Sequence, residues 1–72
     1  MKIELQLGMR IKYLRKRRGW SQEDLALEAN INKNYLSDLE RGNRNPTLRI
    51  MEKIAIALGI DISELTKGLE SF

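Results

Sequence analysis

Between Ser21 and Gly42, two stretches of helical periodicity stand back to back, with only Asn30-Ile31-Asn32 between them. The first places Leu25, Ala26 and Ala29 on one stripe; the second places Leu36 and Leu39 there, flanked by Tyr35. Helices joined by so short a turn cannot run side by side, so the spacing predicts a near-perpendicular pair. Ala26 is small where the two approach, and Ile31 and Leu36 fill the wedge between them. The pair cannot cover its own apolar faces, so the rest of the chain must supply helices behind it.

The flanking sequence reads that way. A first helix is predicted over Glu4–Arg18, with Leu7, Ile11 and Leu14 on its apolar face and Tyr13 beside them. Arg15, Lys16, Arg17 and Arg18 suit the negative end of the helix dipole, and Gly19 suits a left-handed cap. Ser21 is a good N-cap for the second helix, with Asp24 in a capping-box position and Trp20 and Leu25 placed as a hydrophobic staple. Asn30 tolerates the left-handed conformation that the tight turn requires. Asn32 caps the third helix and Gly42 ends it. After the polar linker Asn43-Arg44-Asn45-Pro46, Thr47 opens a fourth helix running to Leu58, with Leu48, Met51, Ile54, Ala55 and Leu58 apolar. Asp61 and Glu64 predict a second capping box for a short fifth helix ending near Lys67-Gly68. No segment alternates with period two, so the expectation is one compact all-α domain over residues 1–72.

Composition narrows the function. The chain has no cysteine and no histidine, which removes disulfides and the usual zinc sites, and neither metal nor cofactor is expected. General acid–base work would fall to carboxylates, and no pair of them forms a recognisable pocket pattern, so an enzyme is not expected. No apolar run is long enough for a membrane span or a signal peptide, so a soluble cytoplasmic protein without membrane contact is expected. The net charge of +3 is unevenly spread. Residues 1–49 hold 11 Lys/Arg against 6 Asp/Glu, whereas residues 50–72 hold 2 against 4. A basic front and a mildly acidic back suit one face on a polyanion.

The leading end of the third helix, about residues 33–41, carries the side chains for reading DNA in the major groove. Asparagine can pair with adenine, lysine with guanine, and an acid with cytosine N4. Asn32, Lys33, Asn34, Ser37 and Asp38 are therefore the candidate base readers. Asn32 serves equally as a cap, and Asp38 either reads a cytosine or points at a neighbouring cation. Gln22, at the start of the second helix, and Arg41, Asn43 and Arg44, just after the third, are candidate phosphate contacts, with Arg10 a further one.

Residues 22–26 (Gln-Glu-Asp-Leu-Ala), 35–42 (Tyr-Leu-Ser-Asp-Leu-Glu-Arg-Gly) and Arg44-Asn45-Pro46-Thr47-Leu48 together resemble the Cro/phage-repressor (Xre) helix-turn-helix family. The likeness spans about residues 7–67 and implies a five-helix lambda-repressor-like domain that binds an operator as a dimer. It implies that Gln22 contacts phosphate, that residues 32–34, 37 and 38 occupy the contact positions of the recognition helix, and that Arg44 lies in a phosphate-contacting loop. It also implies a structural ion pair between Arg15 and Glu40. The family's usual turn glycine is Asn30 here. The small size resembles short repressors and restriction–modification controller proteins.

The C-terminal stretch 60–72 offers Ile60, Ile62, Leu65, Leu69 and Phe72, more apolar surface than a short helix is expected to hide in its own domain. A homodimer interface is predicted there, placing two reading helices about 34 Å apart on a pseudo-palindromic site. The rival reading is a protein-interaction or antitoxin module using the same surface. Glu23, Asp24 and Glu28 form an acidic patch on the second helix that could touch RNA polymerase; favourable charge at a helix N-terminus accounts for them as well. Association with the nucleoid would follow from DNA binding.

Overall fold

The computed structural model describes residues 1–70, and Ser71 and Phe72 lie outside that range. Five helices follow one another: α1 (Ile3–Arg17), α2 (Gln22–Ala29), α3 (Lys33–Glu40), α4 (Leu48–Ala57) and α5 (Ile62–Leu65). α1 packs on α3 and α5, α2 packs on α3 and α4, and α4 closes on α5. Their apolar stripes meet in one core. Ile11, Leu25, Leu36, Leu39, Ile54 and Leu65 are its fully buried large side chains. All five helices contribute to that core, so no helix covers its apolar face alone.

Local chemistry sets the helix ends as expected. The Ser21 hydroxyl accepts from the Asp24 N–H at 3.1 Å, while the Asp24 carboxylate accepts from the Ser21 N–H at 2.9 Å, completing a capping box. Asn30 adopts φ 54°, ψ 49°. From there its N–H reaches the Leu27 carbonyl at 3.2 Å, and the Ile31 N–H reaches Ala26 at 3.0 Å. Those two bonds close α2 and turn the chain directly into α3.

Several expectations need correction. α1 starts and stops one residue early, α4 ends at Ala57, and α5 is only one turn long. Leu48, assigned to the apolar face of α4, is 67% exposed, because the first turn of that helix projects beyond the core. Tyr13 is half exposed, beside Arg10 and Arg17. The second capping box is only half formed. Asp61 accepts from the Glu64 N–H at 2.7 Å, but the Glu64 carboxylate turns to Arg10.

The crossing of α1 over the end of α3 rests on a glycine that periodicity alone did not single out. A Cβ at Gly8 would overlap the carbonyl oxygens of Leu39 and Glu40. One turn earlier on α1, Leu5 meets Gly42, which has φ 78° and has the Leu5 Cα only 2.8 Å from where its own Cβ would stand. The two backbones therefore touch with no side chain between them. Alanine is intrinsically the better helix residue by about 0.5–1 kcal/mol, yet the clash outweighs that gain. Gly8→Ala is expected to lower unfolding free energy by about 1–3 kcal/mol, read as a reduced urea midpoint at constant slope.

Candidate nucleic-acid interface

Arg15, on α1, and Glu40, the last residue of α3, are 7% and 8% exposed. They form a two-pronged pair, with Arg15 Nε donating to Glu40 Oε2 at 2.6 Å and Nη2 to Oε1 at 2.9 Å. The third guanidinium nitrogen, Nη1, donates to the Trp20 carbonyl at 3.0 Å. The hydrogen bond to Glu40 raises the Arg15 pKa above its ordinary value against the opposing effect of burial, so the charge is permanent. Glu40 Oε1 also accepts from Gln22 Nε2 at 3.1 Å. The pair thus ties α1, the entry to α2 and the end of α3 to one point. It also fixes the Gln22 amide, which keeps a second N–H at the open, positive end of α2.

The leading end of α3 divides into free and occupied side chains. Asn32 Oδ1 caps the helix, accepting from the Asn34 N–H at 2.7 Å and the Tyr35 N–H at 3.2 Å. Only its amide NH2 is left for a base. Lys33 and Asn34 are exposed, and among the described residues their side chains make no internal hydrogen bond. One turn on, the Ser37 hydroxyl accepts from Arg41 Nη1 at 2.6 Å. Asp38 pairs with Arg41 and, at 3.4 Å, with Arg44 Nε. The Arg44 guanidinium lies 5.3 Å from the centre of the Tyr35 ring. Of the two readings of Asp38, the structure shows the one facing cations.

Asn32, Lys33 and Asn34 stand at the start of α3, and Arg41, Asn43 and Arg44 follow at its other end, where Gln22 is bonded to Glu40. Lys2, which sequence reasoning passed over, lines a shallow groove with Asn43 and Arg44. Its only sequence signal was its charge; the α1–α3 crossing brings it there.

Arg10 does not join them. Its Nη2 donates to the Glu64 carbonyl at 2.9 Å and pairs with the Glu64 carboxylate at 3.4 Å. It stands two residues from Gly8, about 200° round α1 from the α3 contact, and fastens α5 instead. Arg18, although exposed, is likewise engaged within the domain, donating to the Leu58 carbonyl at 2.9 Å and stacking on Trp20.

Of the residues expected at a C-terminal interface, Leu65 is the one the structure removes. Leu65 is wholly buried in its own core, because a one-turn helix presents its one inward position to α4 and α1. Ile60, Ile62 and Leu69 are half-buried and line different grooves. Phe72 lies outside the described residues. The large apolar side chains that do stand out on α4 are Leu48 and, at 70% exposure, Ile56.

Residues 11–65 match the helix-turn-helix family profile HTH_3. The chain is 46% identical over 59 residues to the immunity repressor protein of Bacillus phage phi105, covering 82% of this chain and 41% of that protein. It is 39% identical over 69 residues to the control protein C.MunI of a Mycoplasma species, covering 94% and 93% respectively. The crystal structure of the restriction-modification controller protein C.AhdI from Aeromonas hydrophila superposes with a TM-score of 0.84 at 39% identity, over 86% of this chain and 94% of that one. The chain therefore spans less than half of the phage repressor and nearly all of both controller proteins.

Removing one member of the buried pair strands the other. Arg15→Met or Glu40→Leu alone is expected to cost about 3–5 kcal/mol of stability, while the double substitution recovers most of it. Urea unfolding of the two single variants and the double variant checks this; additive losses would show that the two side chains act independently.

Proposed function

The chain belongs to the helix-turn-helix family, and on that premise we propose that it is a sequence-specific double-stranded DNA-binding transcriptional regulator. The observation that carries this reading is the pair of exposed side chains Lys33 and Asn34 at the leading end of α3, on the helix whose last residue, Glu40, also holds the Gln22 amide at the start of α2. In this arrangement α3 enters the major groove and Lys33 and Asn34 reach base edges. Gln22, Arg41, Asn43 and Arg44 contact phosphate. Asn32, Ser37 and Asp38 are secondary readers, because the cap and the arginines already engage them.

Regulators of this design act as two-fold dimers on pseudo-palindromic operators. A second copy over the α4–α5 face supports that geometry, for there Leu48 and Ile62 line one groove and Ile56 is exposed nearby on α4. Repression follows if the occupied operator overlaps a promoter. Activation would use the acidic side of α2 against RNA polymerase. Glu23 and Glu28 are exposed there, whereas the Asp24 carboxylate is held by the capping box.

Selection of sites from random duplex DNA, followed by fluorescence anisotropy, tests the reading. Lys33→Ala and Asn34→Ala are each expected to cost about 1–3 kcal/mol on the selected site and little on random duplex, whereas Gln22→Ala weakens both alike. Binding that is absent, or indifferent to salt, sinks the DNA assignment. Ile56→Lys is expected to shift the protein towards monomer in sedimentation equilibrium and to weaken operator binding about tenfold or more. An unchanged dimer would move the interface away from α4.

A further inference from the structure

We propose that Asp38 sets the selectivity of this interface by holding Arg41 and Arg44 away from phosphate until a base replaces them. The inference rests on the DNA-binding function proposed above. The Asp38 side chain is only 28% exposed, whereas those of Arg41 and Arg44 are 58% and 53% exposed. Both guanidiniums converge on the one carboxylate, and each is held a second time, Arg41 by the Ser37 hydroxyl and Arg44 by the Tyr35 ring.

The free protein thus presents a partly neutralised cluster where two open cations would otherwise meet the DNA backbone. A phosphate that takes either arginine leaves a largely covered carboxylate facing a polyanion. That penalty falls on every sequence alike unless the groove offers a donor in return. Asp38 lies one turn beyond Asn34 on α3, and the exocyclic amino group of cytosine or adenine is the donor a base pair presents in the major groove. A site with such an amino group at the facing position releases the arginines at little cost, and other sites do not. Discrimination then comes from weakening the wrong complexes as well as from strengthening the right one. Ion pairs this exposed are weak singly, so the device grades affinity and does not switch it.

Asp38→Asn and Asp38→Ser test the idea in the full chain, by anisotropy on random duplex and on the selected site at several salt concentrations. Both variants are expected to bind random duplex about three- to tenfold more tightly than wild type, with a salt slope steeper by about one unit, so that the ratio of selected to random affinity falls. Arg44→Ala is expected to cost more on random duplex in the Asp38→Asn background than in wild type. Random-duplex affinity that stays unchanged or drops in both variants overturns the proposal. A gain with asparagine alone also overturns it, since that would report a new amide contact and not the lost charge. If wild type itself binds no duplex, the DNA-binding function fails with it; wild-type binding with unresponsive variants removes the Asp38 role alone.

Discussion

The buried pair between Arg15 and Glu40 is the point on which the other parts of this small domain depend. Two charges withdrawn from water are tolerated only when their polar atoms find partners, and here the fork geometry, the Trp20 carbonyl and the Gln22 amide give every nitrogen and oxygen of the pair at least one. Any slip of α1 along α3 would strand a carboxylate or a guanidinium in the core. The pair therefore penalises other registers more than it adds stability of its own. Its geometry needs α1 to lie against α3 without a spacer, which is the role of Gly8 against the Leu39 and Glu40 carbonyls.

From that fixed crossing the outer surface follows. With α3 anchored at its last residue, its first turn projects outward, leaving Lys33 and Asn34 in solvent. Gln22 is bonded to Glu40, so the candidate phosphate contact and the reading helix share one anchor. The far half of α3 behaves differently. Its polar groups are already engaged with one another through Asp38, Arg41 and Arg44. One face thus combines an open half that can take a base immediately with a closed half that must first give something up.

Much of this was legible in the chain. The caps at Ser21, Asn32 and Thr47 and the left-handed turn at Asn30 are local chemistry, decided within four residues, and they appear where the residue types require them. The stripes that built the core were visible for the same reason. The Arg15–Glu40 pairing came from the family resemblance, since nothing in the spacing of two residues 25 apart says that they meet. Arg10 shows the limit of reading charge as function. An arginine among basic neighbours looks like a phosphate ligand, but its position round α1 gives it to Glu64.

Local sequence by itself determined the five helices in their order, most of their caps, the tight turn between α2 and α3, and the chemistry available at the start of the third helix. It did so because caps, tight turns and helical periodicity act over a few neighbouring residues. Which apolar stripe was covered, and by what, was settled only by tertiary packing. Leu65 went inward and Leu48 outward, although both carry the same side chain at helical spacing. Tertiary packing also joined Lys2 to the α3–α4 loop, drew Arg10 away from it and turned two arginines onto Asp38. Such pairings depend on which surfaces the helix crossings bring within a few ångströms, and side-chain type alone carries no distance.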